Sequence, residues 1–293
     1  MRETMRNKLE WQSKLVLLAV APAAAADLLL QTRWWAAQMP AVAMSVLGTG
    51  LLLGLATWRL RAATPWASAV GVAVIASLMY STVRWPYQPW RTALLPAVLV
   101  AVLAQVATRL GRARKERLGL GEGKRGRTAA QIAANLGVAM LVAHPFLQDL
   151  LREGRGFPAS GKSALPLFAV ALAALAEAAA DTVSSEVGQV FGGVPRLITS
   201  LRRAAPGTNG AVSLPGTAAG MVAAALVAAV GAWSLSGGRA GFLIALGGGV
   251  FGLFFDSLLG ATIEDRGWLN NNAVNFLSTA AAAAFALLLL RLV

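Results

Sequence analysis

The chain has 293 residues, 57% of them hydrophobic and 13% charged, with a formal net charge of +13 and a mean hydropathy of +0.61. A soluble domain carries roughly 25% charged residues, so this composition excludes a water-solvated globule and predicts an all-α, polytopic transmembrane helical bundle. The absence of cysteine excludes disulfides, thiolate metal sites and a cysteine nucleophile, and a single histidine, His144, argues against a histidine-based zinc site and a Ser-His-Asp triad.

About nine spans are predicted, at 15–31, 40–57, 65–83, 92–108, 129–150, 163–180, 212–235, 240–260 and 273–290. The first follows Arg2, Arg6, Lys8 and Lys14 and reads as a signal anchor. The positive-inside rule orients the chain with its N-terminus in the cytoplasm, and the densest basic segment, 109–127, sets the register. The positive charge then reads as basic loops facing anionic membrane lipid, with no nucleic acid as partner. The expected location is an integral membrane position, in a prokaryotic plasma membrane. Residues 1–114 read as accessory N-terminal transmembrane helices, and 115–293 as the catalytic transmembrane core. Asp27, near the outer end of the first span, reads as hydrated, and His144 as structural.

In this topology the loops 109–127, 181–211 and 261–272 share the cytoplasmic side and hold most of the unusual polar residues. A site built from three cytoplasmic ends suits a water-soluble nucleotide. The first piece is Lys124 with Arg127, Gln131 and Asn135, the last three spaced i, i+4, i+8 as a stripe descending into the bilayer. The second is Glu177, Asp181 and Ser185, with the same spacing, and Glu186 off that face. Carboxylates at a helix end suit a hard divalent cation, which takes oxygen ligands; the alternative is an interhelical hydrogen-bonding stripe.

The third piece is Arg196 followed by the loop 206–217, which contains Gly207, Thr208, Asn209, Gly210, Ser213, Gly216 and Thr217. Glycines and hydroxyls before a helix can present N–H groups to phosphate, although a Gly-rich turn between helices can also be only a turn. No Walker sequence is present. The fourth piece places Gly249, Gly252, Asp256 and Gly260 on one face of the eighth span, with Asn271 and Asn275 at the start of the ninth. Small residues around an intramembrane acid point Asp256 into the bundle.

The segments KRGRTAAQIAAN (124–135), DTVSSEVG (181–188), PRLIT (195–199), PGTNGAVSLPGT (206–217), FDSLLGATIE (255–264) and NNAVNF (271–276) together resemble the integral-membrane phytyl-phosphate kinase family. That family is also known as domain of unknown function 92 and includes transmembrane protein 19. The resemblance covers about residues 115–293. It implies phosphoryl transfer from a nucleoside triphosphate, often CTP, to an isoprenoid monophosphate such as phytyl or geranylgeranyl phosphate. It also implies distant similarity to other CTP-using membrane enzymes.

On this reading Asp181 and Asp256 are catalytic and hold Mg2+, with Glu186 as a supporting catalytic group. Lys124, Arg127, Arg196 and the 207–217 loop hold the triphosphate, and Glu177, Ser185, Asn135, Asn271 and Asn275 complete the pocket. A phosphate monoester, with a second pKa near ~6, is largely dianionic at neutral pH and needs no strong general base. The alternatives are a membrane cytidylyltransferase acting on a lipid phosphate, and a transporter of lipid phosphate or a small anion.

Overall fold

The computed structural model describes residues 9–120, 126–153 and 164–292. Within them the chain is almost wholly helical. In chain order the helices are α1 (Glu10–Gln38), α2 (Pro40–Arg59), α3 (Pro65–Ser81), α4 (Leu94–Arg109), the short α5 (Arg112–Arg117), α6 (Ala129–Ala143), α7 (Pro145–Glu153) and α8 (Ala164–Phe191). Two antiparallel two-residue strands follow, β1 (Arg196–Leu197) and β2 (Ala211–Val212). The last helices are α9 (Leu214–Ser234), α10 (Gly238–Leu259), a π-helical turn at Gly260–Glu264, and α11 (Asn271–Leu289).

Local chemistry sets many of these boundaries. Thr64, Thr128, Ser213 and Asn270 each accept a backbone N–H from the first turn of the helix they precede, which satisfies a donor that would otherwise be orphaned. At α6, Thr128 and Gln131 form a reciprocal capping box.

A helix forms at every predicted span, but nine crossings are not borne out. Among the described residues, six helices are long and apolar enough to cross a membrane, or seven if α6 and α7, bent by 63° at His144–Pro145, form one span. Pro145 supplies no N–H, so the apolar run 129–150 does not continue as one straight rod. Helices α3 and α4 have 17 and 16 residues. At 1.5 Å per residue they rise roughly 25 Å, short of a ~30 Å hydrocarbon core.

Helix α8 is the axis of the bundle. Its apolar window is 78% buried, against 22% for α1 and for α2, and it packs on α4, α6, α9, α10 and α11. The outer helices show Leu18, Leu29, Leu30, Leu51 and Leu52 at the surface, as lipid-facing helices do. Lipid supplies no hydrophobic drive between helices, so close backbone approach carries the packing. Buried alanines at 171, 173, 174, 176 and 178–180 meet glycines of α9 and α10. A Cβ on Gly248 would lie 2.6 Å from the Ala173 Cβ, and one on Gly216 would lie 2.6 Å from the Ser184 carbonyl. Gly216→Ala is therefore expected to force α9 off α8 at a cost of about 1–3 kcal/mol, seen as a lower unfolding temperature in detergent.

One apolar core runs from Val16 of α1 through Ala107 of α4 to Leu290 of α11, and a smaller cluster joins Val42 and Val46 of α2 to Met79 and Tyr80. The N-terminal helices thus share the core of the rest. At the end of the bundle away from the polar loops, Asp27 is buried, and its Oδ1 lies 3.0 Å from His144 Nε2. It is paired, not hydrated. His144 Nδ1 accepts the Phe146 N–H, so the histidine joins α1 to the α6–α7 bend.

Candidate active site

A cavity of about 320 Å³ opens at the end of the bundle where the polar loops meet. Its walls come from the start of α6, the end of α8, the 195–213 loop, the end of α10 with its π-turn, and the start of α11. The three loops expected to share a side do converge here. The volume is at the low end of the ~300–1,000 Å³ usual for small-ligand sites.

The acidic wall is formed by Asp181 from α8 and Asp256 from α10, whose carboxyl groups are close enough to hydrogen-bond to each other. Asp256 Oδ2 is buried with no partner. Glu264 joins them from the π-turn, a helix irregularity frequent at functional sites. Glu177, one turn deeper than Asp181 on the same stripe, lies outside the cavity lining. It is 1% exposed, and its carboxyl lies beside the Ser278 side chain. Its Cγ sits against Gly252, where a Cβ would come within 2.4 Å.

Glu186 also borders the cavity, but its two oxygens have other partners. Lys115 Nζ donates to Oε2 at 2.6 Å, and Thr108 Oγ1 donates to Oε1 at 3.0 Å. Lys115 is itself 2% exposed and donates further to the carbonyls of Ala107 and Thr108. This pair anchors α5 and the end of α4 to α8.

The only described cation lining the cavity is Arg127, which acts electrostatically on Asp181. Its backbone is strapped to the α2–α3 loop: its N–H donates to Ala62 O, and its carbonyl accepts the Thr64 N–H, both at 2.9 Å. Gly126, with φ +75°, sits so close that a Cβ would lie 2.6 Å from Arg61 O. Gly126→Ala is expected to strain this left-handed position and push Arg127 off its strap, at a cost of about 1–3 kcal/mol in stability. Calorimetry of the purified variant checks this.

The remaining sequence candidates divide. Ser185, Asn135, Asn271 and Asn275 line the cavity, as do Gly207, Thr208, Asn209, Gly210 and Ser213. Asn275 Nδ2 donates to Asn135 Oδ1 at 3.0 Å, joining α11 to α6 across the floor. Gly216 and Thr217 are not part of the lining, and Arg196 is exposed, donating to Leu201 O. Lys124 lies outside the described residues.

The loop glycines serve packing. Gly207 and Gly210 have φ +80° and +67°, and a Cβ on Gly210 would lie 2.3 Å from the Ala261 nitrogen. The N–H groups of Thr208, Ala211, Gly216 and Thr217 are all bonded within the loop or the α9 cap. The side chains of Thr208 and Asn209 and the backbone of Gly207, Asn209 and Gly210 remain along the cavity wall.

Sequence reasoning missed Gln189. It lines the cavity, and its Oε1 is buried without a partner. The signal was available: 177, 181, 185 and 189 continue one i, i+4 stripe on α8.

Among the described residues, no group of three or more His, Asp or Glu side chains could hold a metal unaided. Magnesium usually takes one or two carboxylates, with waters and substrate phosphates completing the shell. Asp181 and Asp256, with an unpartnered oxygen on the latter, match that donor set.

The family model for integral membrane protein DUF92 matches residues 48–283. The chain belongs to that family. The match begins within α2, inside the segment read from sequence as accessory. An uncharacterized membrane protein of Methanocaldococcus jannaschii is 40% identical over 108 residues, covering 37% of this chain and 45% of the relative. An uncharacterized membrane protein of Synechocystis is 29% identical over 78% of this chain and 93% of its own length. Protein VTE6, chloroplastic, of Arabidopsis thaliana is 29% identical over 76% of this chain and 65% of its own. The chain thus spans less than two thirds of the archaeal and plant relatives. No solved structure matches it.

Proposed function

We propose that this family member is a membrane kinase that transfers the terminal phosphoryl group of a nucleoside triphosphate, CTP or another, to an isoprenoid monophosphate. An oxygen of the monophosphate bonds to the γ-phosphorus while the bond from that phosphorus to the β,γ-bridging oxygen breaks. The products are the isoprenoid diphosphate and a nucleoside diphosphate. The observation that carries the reading is the pairing of Asp181 and Asp256 inside a polar cavity at one end of an apolar bundle. The similarity to VTE6 agrees with it.

The charge census of the cavity constrains how phosphate binds. Among the described residues, Asp181, Asp256 and Glu264 face one arginine, Glu186 being paired with Lys115, so an unaccompanied triphosphate would be repelled. Magnesium, held by Asp181 and Asp256, would supply the counter-charge and polarise the transferred group. Arg127 then acts as a point of phosphate contact. Thr208, Asn209 and Gln189 orient neutral groups of the nucleotide, and the apolar bundle keeps the isoprenoid tail in the lipid phase.

The test is magnesium-dependent nucleotide turnover by detergent-purified protein, with CTP and ATP, with and without phytyl or geranylgeranyl monophosphate. Nucleoside diphosphate formed only with the lipid phosphate supports the kinase. Pyrophosphate release instead replaces it with a cytidylyltransferase. No turnover and no nucleotide binding moves the assignment to transport.

A further inference from the structure

The beginning of α1 lies outside the family match, yet it is bonded to the rim of the cavity. Gln12 Nε2 donates to Trp268 O at 2.8 Å, and the Asn270 N–H donates to Gln12 Oε1 at 2.8 Å. Asn270 Nδ2 donates to Leu9 O at 2.7 Å and to Ser13 Oγ at 3.0 Å, and Asn272 Nδ2 donates to the same hydroxyl at 2.8 Å. Five hydrogen bonds thus join residues about 260 positions apart. Gln12 is 7% exposed, although most of α1 faces outward.

The clasp holds the two residues on either side of Asn271, which lines the cavity. It also holds Asn270, the cap of α11, whose Oδ1 accepts the Ala273 N–H. Asn275, one turn further, bonds across the floor to Asn135. The asparagine run is therefore divided by role: Asn270 and Asn272 bind the protein itself, Asn271 is left to the cavity, and Asn275 lines it while bonded to Asn135.

We infer that Gln12 and Ser13 are positioning residues, through which α1 sets the register of the α11 start and so the place of Asn271 and Asn275 in the ligand site. This rests on the proposed reading of the cavity only where nucleotide is the probe. A lone short helix end docked by two asparagines would be free to fray, because helix ends are the least stable part of a helix and each net hydrogen bond is worth only ~0.5–1.5 kcal/mol. Five together make the docking cooperative.

The chain contains no cysteine, which permits a reversible test in one sample. In the Ser13→Cys/Asn272→Cys variant, oxidation should cross-link the pair, and dithiothreitol should release it. With MgCTP as the probe, the oxidised form should bind or turn over with a KM near that of the unmodified protein. The reduced form, lacking both Ser13 contacts, should show a KM raised roughly 5- to 10-fold with kcat changed less than about 2-fold. Equal KM in the cross-linked and reduced states overturns the inference.

A second readout needs no nucleotide, so a failure of the kinase reading is told apart from a failure of this one. Asn271→Cys places a thiol at the cavity, and its rate of mixed-disulfide formation with a charged methanethiosulfonate, which releases methanesulfinate, should change at least about 3-fold when Gln12→Ala is added. An unchanged rate overturns the positioning role, whatever the cavity binds.

Discussion

Asparagine at Asp181 or at Asp256 is expected to lower magnesium-dependent turnover by at least roughly 10²-fold while leaving the protein folded. The substitution keeps size at each position and exchanges a carboxyl oxygen, which can hold a cation, for an amide NH2, which cannot. The two carboxyls face each other from α8 and α10; Asp181→Asn gives up an attraction to Arg127 and Asp256→Asn gives up none, so the fold should survive either change. If the carboxylates bring the cation that neutralises phosphate, both variants should also lose the magnesium dependence of nucleotide binding. Normal turnover with wild-type unfolding midpoints in both variants would remove these residues from the mechanism. A lowered midpoint with intact specific activity would assign them to the bundle instead.

Replacing Lys115 by methionine is expected to be the most destabilising single change in the loops around the cavity, about 3–5 kcal/mol. The lysine ammonium is buried, and its removal leaves Glu186 as a charge with only the Thr108 hydroxyl beside it. The double variant Lys115→Met/Glu186→Leu should recover most of that loss, since removing both partners leaves no buried orphan. Chemical unfolding in detergent measures the cycle. The same double variant separates two roles for Glu186. Turnover within tenfold of the parent assigns Glu186 to the frame that holds α5, and turnover lost from a stable double variant assigns it to the chemistry.

Much of the site was legible because helical spacing converts directly into faces. The stripes 177–181–185 and 127–131–135, and the small-residue face around Asp256, each follow from 3.6 residues per turn alone. They meet as that periodicity requires. Convergence of three separate loops was also legible, since alternating apolar runs return polar segments to one end. Membership of an integral membrane family followed from motifs strung in one order.

Other assignments depended on which neighbours the polar groups acquired. Sequence shows that Gly207, Gly210 and Gly216 are small, but not what they approach; the structure puts Leu120, the α10 end and the Ser184 carbonyl against them. It shows Glu186 beside the acidic stripe, yet the ion pair with Lys115 spans 71 positions and no periodicity predicts it. Arg196 and Arg127 look alike as cations in loops, and only the strap to Ala62 and Thr64 turns one of them to the cavity. The number of crossings was likewise decided in three dimensions, because hydropathy counts apolar runs while spanning depends on rise, bend and tilt.

Composition by itself determined that the chain enters the membrane as helices, because bilayer hydrocarbon leaves backbone N–H and C=O groups no other partner. The tertiary structure decided which buried polar groups are satisfied by the protein and which are left for a ligand. That division separates Glu186, Asn270 and Asn272 from Asp256, Gln189 and Asn271, and it depends on contacts between residues far apart in the chain.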